Sequence, residues 1–342
     1  MNSPKRITLN DIALRLGISK VAVSKALRDH PDISPATRAR VKQMAESLGY
    51  VPNYMARNLS ARKTLTVGLV VPKIAHHFFS QAIEAIYETA EESNYEIILT
   101  VSREDESRER RQIKTLLSMR VDGLLVSLAQ NTRRTDVFRE VRDHGLPLVF
   151  FDRVPDEPGY SAVTTDDHRG AYESVAWFAA RGYKKIAHIG GYRHTGIGRR
   201  RDSGYRAAME KYGHDIPSGF VVEGGFSEED GYRGLMKIYD RVGLPEVLFT
   251  VTFPVALGAV RAMQDLGKSV PDDMQIVSFG GSAYSRYMKP AISYFDQPAR
   301  EIGKTATNML LEEIGGRQKS GRFVELPGKL ILSPEFQKEL KK

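Results

Sequence analysis

From residue 64 onward, short apolar runs alternate with amphipathic stretches, and that alternation restricts the chain to one kind of architecture. LTVGLVV, YEIILTV, VDGLLVS and LPLVFFD read as buried strands separated by helical segments near 79–93, 105–119 and 133–144. The series then repeats: SAVTTD, KKIAHIG, GFVVEG, EVLFTV and QIVSFGG alternate with helices near 168–181, 201–212, 227–240 and 254–266. AISYFDQ, a helix over 298–315 and KLILS complete it. Regular alternation at this spacing predicts parallel sheets joined by right-handed crossovers, and the length suffices for two doubly wound halves. A ligand in such a fold binds beyond the carboxyl ends of the strands, here between the halves.

Charge separates this body from what precedes it. Of the 50 Lys and Arg in the chain, twelve fall in residues 1–63 against only four acidic residues, which accounts for the whole net charge of +8. A short basic module on a neutral body is the electrostatic footprint of nucleic-acid binding. Pattern supports this. Thr8 caps LNDIALRLG, with Leu9, Ile12, Ala13 and Leu16 at helical spacing, Asp11 completing a capping box and Gly17 ending the helix. Ser19 caps a second helix with Val23, Ala26 and Leu27 inward, and Ser34-Pro35 starts a third with Val41, Met44, Ala45 and Leu48 inward.

Two short helices joined by a three-residue turn predict a helix-turn-helix, whose second helix enters the major groove. Lys20 can then donate to guanine O6 and N7, while Val21 and Ala22 meet thymine methyls, which explains an outward valine. Ser19, Ser24, Lys25, Thr8 and Thr37 are placed to bond phosphates, which position without specifying.

ITLNDIALRLGISKVAVSKALRDHPDISPATRARVKQMAESLGYVPNYMARNLS resembles the DNA-binding headpiece of the LacI/GalR family of bacterial transcription regulators. The resemblance implies that Lys20, Val21 and Ala22 choose the operator. It also implies that residues 51–63, too short to be helical alone in water, form a hinge helix that orders on DNA, with Asn53 contacting DNA and Leu59 wedged into the minor groove. It extends over essentially the whole chain, through FDR at 151–153, TDD and Gly170 at 165–170, RDSGYRAAM at 201–209, ALGAVRAM at 256–263 and QPAREIG at 297–303.

The implied fold is a small all-α helix-turn-helix headpiece (1–50), a hinge (51–63) and an α/β core of two doubly wound parallel-sheet subdomains, similar to type I periplasmic binding proteins (64–342). The first subdomain is expected over about 64–162 plus 292–322, and the second over about 163–291 plus 323–342.

For the cleft, the resemblance implies effector contacts from Asp152, which ends a strand, from Arg153 beside it, and from Arg201, read as opening a helix after KKIAHIG. Phe79, Phe226 and Phe253 fall at or beside further effector positions, the first two offering aromatic faces. Two family carboxylates are missing: Thr252-Phe253 replaces Asn-Asp, and Gly280 replaces an acidic residue. With Arg153, Arg193, Arg199, Arg200 and Arg201 near in sequence, an anionic sugar derivative competes with a neutral sugar as the expected effector.

Other function classes find less support. GGYRHTGIGRR supplies neither G-x-G-x-x-G nor a phosphate-binding lysine, and His76, His77, His144, His168, His188, His194 and His214 show no H-E-x-x-H spacing. No G-x-S-x-G occurs, so no enzyme, cofactor or metal is expected. A solute-binding protein of transport shares the core, but would replace the basic module by a signal peptide. The absence of cysteine, of a cleavable leader and of a long apolar run favours the cytoplasm. The reading is an effector-controlled homodimeric regulator, a repressor, on a pseudo-palindromic double-stranded operator and without membrane association.

Overall fold

The computed structural model describes residues 7–50, 63–282, 285, 287–317 and 321–339. The chain divides into two units, Met1–Thr64 and Leu65–Lys342.

In the first unit α1 (Leu9–Leu16), α2 (Lys20–Ala26) and α3 (Pro35–Ser47) enclose a core of Ile12, Ala13, Val23, Ala26, Val41 and Ala45. Each start follows from its cap. Thr8 and Asp11 form a reciprocal capping box, Ser19 Oγ accepts the Ala22 N–H, and Ser34 Oγ accepts the Thr37 N–H with proline in the first turn. Gly17 leaves α1 at φ +63°, the left-handed conformation glycine adopts without penalty.

The second unit carries two six-stranded sheets. The first runs β11-β5-β4-β3-β1-β2, built from β1 (Thr66–Val71), β2 (Glu96–Val101), β3 (Gly123–Val126), β4 (Leu148–Phe151), β5 (Ser161–Thr165) and β11 (Phe323–Leu326), all parallel. The second runs β12-β10-β9-β8-β6-β7, from β6 (Ile186–Gly190), β7 (Val221–Glu223), β8 (Val247–Thr250), β9 (Gln275–Phe279), β10 (Ser293–Asp296) and β12 (Lys329–Ile331), with only β12 antiparallel. In each sheet the order reverses at the first strand of the half, where doubly wound folds place their ligands.

Helices α4 (His77–Glu92), α5 (Glu106–Ser118), α6 (Asp136–Asp143) and α11 (Ala299–Ile314) belong to the first half. To the second belong α7 (Asp167–Ala179), α8 (Gly196–Lys211), α9 (Glu228–Val242), α10 (Phe253–Asp265) and α12 (Pro334–Glu339).

Three expectations are corrected. β10, assigned by sequence to the first subdomain, hydrogen-bonds between β9 and β12 in the second sheet, and only the helix after it packs on the first. β11, assigned to the second subdomain, pairs with β5 in the first. The helix expected from Arg201 begins at Gly196, because Thr195 Oγ1 caps it by accepting the Gly198 N–H. Arg201 therefore lies in the second turn and faces inward.

Candidate functional site

On the first unit the cap residues leave the start of α2 standing outward. Lys20 is exposed and Val21 is 65% exposed, while Val23 and Ala26 of the same helix are buried. Ala22 is half-buried. The residues expected at phosphates have local partners: Thr8 N–H and Oγ1 both donate to Asp11 Oδ2 (2.8 and 2.7 Å), Ser24 supplies its carbonyl to Arg28 Nε (3.1 Å), and the Thr37 hydroxyl lies 2.9 Å from that of Ser34. Lys25 Nζ donates to Asp32 at 2.7 Å. Leu14, 75% exposed on α1, is a second outward apolar residue that the helical pattern did not single out. Asn53 and Leu59 lie outside the described residues.

In the core, six of the side chains that close a small cavity are His76 and Phe79 from the start of α4, Asp152 and Arg153 after β4, Arg201 from α8, and Phe226 before α9. Glu104, Lys73, Phe78, Ile197, Thr252 and Gln297 complete the lining. Five of the first six, Phe79, Asp152, Arg153, Arg201 and Phe226, are residues that the sequence pointed to for the cleft. Phe253 is not among them: as the first residue of α10 it is half-buried against the core of the second half, and its neighbour Thr252 reaches the cavity instead.

Asp152 has φ +60°, fixed by its N–H donating to the Val163 carbonyl at 3.0 Å, and this turn sends the side chain inward. Its carboxylate stands 3.9 Å from Arg153 Nε, beyond hydrogen-bonding reach, and burial pushes its pKa up to about 6 against the pull of Arg153 and Arg201. The Arg153 guanidinium lies between Phe79 (5.9 Å) and Phe226 (5.0 Å), donates to Glu104 at 2.7 Å, and leaves Nε without a partner. His76 Nδ1 is likewise buried and unpartnered, and burial with Arg153 nearby holds this imidazole neutral, its pKa lowered to about 4.

Arg201 differs from expectation in its commitments. It is 2% exposed, donates through Nε to Asp167 (2.9 Å) and through Nη1 to the Val251 carbonyl (2.7 Å), and lies 3.6 Å from the centroid of the Phe279 ring. The other arginines of the cluster are also paired: Arg153 with Glu104, Arg193 with Glu223, Arg199 with Asp156 and Arg200 with Glu325. Each arginine of the cluster thus has a carboxylate within 4 Å. Gly280, at φ +77°, leaves room for Gln297, whose Oε1 a Cβ there would approach to 3.1 Å.

The cavity holds about 30 Å³, whereas small-molecule pockets commonly measure about 300–1,000 Å³. Two clefts of about 340 and 360 Å³ flank it, sharing Val154–Glu157, Gly196 and Ile197. Bonds across the division join the halves: His194 Nε2 lies 2.6 Å from the Gln130 carbonyl, and Arg199 donates to both Asp156 oxygens at 2.5 and 2.6 Å. Among the described residues no His, Asp or Glu cluster suits a metal ion, and no helix is long and apolar enough to cross a membrane.

A helix-turn-helix with an outward reading face, together with a doubly wound core in two halves, defines a DNA-binding domain carried with a binding-protein-type ligand domain. Comparison with known proteins gives the same two parts: the model for bacterial regulatory proteins of the lacI family matches residues 8–53, and that for a periplasmic binding protein-like domain matches 175–332. Catabolite control protein A of Priestia megaterium is 28% identical over 336 residues, covering 98% of this chain and 99% of that protein. HTH-type transcriptional repressor PurR of Escherichia coli O139:H28 is 29% identical over 95% of both. The structure of a transcriptional regulator CelR-cellobiose complex superposes with a TM-score of 0.72 at 26% identity, covering 96% of this chain and 99% of that one. The chain thus carries a lacI-family helix-turn-helix domain and a periplasmic binding protein-like domain, and over nearly its whole length it is similar to LacI/GalR-type transcriptional regulators.

Proposed function

We propose that the protein is a cytoplasmic, homodimeric repressor that reads a pseudo-palindromic operator through Lys20, Val21 and Ala22 and is controlled by a neutral, sugar-like effector bound between the core halves. Ser19, Ser24, Lys25, Thr8 and Thr37 position the headpiece on phosphates, and Asn53 and Leu59 of the hinge complete the DNA contact. The effector is held by Asp152, Arg153, Phe79 and Phe226, with Arg201 supporting the wall.

One observation carries the effector assignment. Arg153 Nε and His76 Nδ1, both buried and without hydrogen-bond partners, line one cavity with the Asp152 carboxylate, 3.9 Å from that Nε, and with the rings of Phe79 and Phe226. Polar groups buried this way cost stability unless something bonds them. Acceptors, donors and ring faces together match the hydroxyls and apolar faces of a sugar. Charges at the site balance, with Lys73, Arg153 and Arg201 against Glu104, Asp152 and Asp167, so a neutral ligand fits. Cellobiose on the related CelR supports the same class. Admitting a sugar requires the halves to part or Arg153 to swing aside.

A thermal-shift screen of neutral sugars, sugar acids and sugar phosphates tests this, since a ligand of the folded core raises its apparent stability by mass action. A hit confined to phosphorylated or acidic sugars would overturn the neutral assignment. The sign of the pH dependence follows from Asp152. Its folded pKa is raised from 3.8 to about 6, so its contribution to stability is full below 3.8 and is lost as pH rises through about 6. Ligand hydroxyls donate to the ionised form, so calorimetric affinity for the effector should climb as pH rises through about 6 and then level off. Asp152→Asn should flatten that profile; an unchanged slope would remove Asp152 from the site.

On DNA, Lys20→Ala should lower affinity for the preferred half-site by about 1–3 kcal/mol and relax selection at one base pair. Selection from randomised half-sites reads this directly. Uniform weakening on all sequences would make Lys20 a phosphate contact.

A further inference from the structure

The loop after β2 contributes a carboxylate to the cleft that no sequence pattern announced. Arg103 and Glu104 both have positive φ, +55° and +61°, and this turn buries the Glu104 side chain to 8% exposure. Its Oε2 accepts the Gln130 N–H and Arg153 Nη1, each at 2.7 Å. Arg153 so held has its guanidinium carbon 5.9 Å from the Phe79 ring of the first half and 5.0 Å from the Phe226 ring of the second.

We propose that Glu104 sets the charge specificity of this cleft: by tying Arg153 into an internal ion pair between the two rings, it makes the site select neutral ligands and reject anions. The proposal rests on reading the cleft as the effector site and names the residue that decides which class of effector enters. An entering phosphate or carboxylate must compete with the buried Glu104 carboxylate for Arg153 and sit beside its negative charge, which is strongly unfavourable in a poorly solvated site. With an uncharged side chain at 104, Arg153 keeps only the Asp152 carboxylate, 3.9 Å from its Nε, and frees Nη1 beside Lys73 and Arg201 on the same cavity; a guanidinium so placed binds oxyanions through two parallel N–H bonds. Glutamine keeps an oxygen for the Gln130 N–H, so Glu104→Gln alters the charge and preserves the loop.

The experiment uses inorganic phosphate as probe and follows the melting temperature of the full chain against chloride at matched ionic strength. Four proteins are compared: the unmodified protein, Glu104→Gln, Glu104→Asp and the double variant Glu104→Gln with Arg153→Met. Glu104→Gln should gain about 3–5 °C of phosphate-dependent stabilisation over the unmodified protein. Glu104→Asp, which restores the charge, and the double variant, which removes the cation, should show no gain. Glu104→Ala takes the place of the glutamine variant if that fails to fold. Equal phosphate responses in all proteins, or a gain that survives Arg153→Met, would overturn the assignment. A sugar screen without hits would sink the effector reading yet leave the phosphate result standing, so the two failures are distinguishable.

Discussion

Replacing Arg201 with alanine should cost the core about 3–5 kcal/mol, an effect on folding before any effect on a ligand. The guanidinium is 2% exposed and satisfies the Asp167 carboxylate and the Val251 carbonyl while stacking on Phe279. Truncation leaves Asp167 buried and without its cation. Burial already pushes that carboxyl upward and Arg201 is the principal counterweight, so the carboxyl would have to take up a proton or drag water inward. Removing both charges together, as Arg201→Met with Asp167→Leu, should cost far less than Arg201→Ala, because the penalty comes from the partner left alone. Urea unfolding of the three proteins measures this. A loss below about 1 kcal/mol in Arg201→Ala, together with loss of effector binding, would return Arg201 to the role of ligand contact.

A comparably large effect is expected where α9 and α10 cross. A Cβ added at Gly258 would stand 1.8 Å from the Glu228 carbonyl oxygen, and one at Gly231 would stand 2.0 Å from that of Val255. Backbone meets backbone at this crossing, so no side-chain rotation relieves the clash. Gly258→Val must therefore push the helices apart and open the core packed by Leu235, Val255 and Ala259, costing about 3 kcal/mol or more. Thermal or urea unfolding checks it, and a change within about 0.5 kcal/mol would show that the helices separate freely.

Most of the fold was legible because apolar period and cap chemistry act locally. Thr8 with Asp11, Ser19 and Ser34-Pro35 mark helix starts that the structure reproduces, and strand runs such as VDGLLVS and EVLFTV are apolar on both faces because helices cover both. β11 escaped because FVEL lies at a sheet edge, alternating exposed with half-buried residues, and its partner β5 is remote in sequence. The start of α8 escaped because glycines at 196 and 198 suggest a loop, whereas Thr195 caps them into a helix.

The site was legible where residues end strands, as Asp152 does. It was illegible where a long-range pairing decides: nothing in Arg201's surroundings in the chain foretells Asp167, and nothing in RED foretells that Glu104 reaches Arg153. Gln297, quoted within QPAREIG but given no role, lines the cavity because its strand joins the second sheet. Phe253 was placed in the cleft by its neighbour's position, but the helix start turns it toward the core of its own half.

Effector and operator are expected to act on one another through this chain by a coupling free energy, which is reciprocal. Once a sugar is found that raises the melting temperature, operator affinity should be measured with and without it, and sugar affinity with and without operator. Two affinity changes of the same factor, about 5–150-fold, are expected, both abolished by Asp152→Asn. Independent binding, with each affinity unchanged by the other ligand, would contradict it.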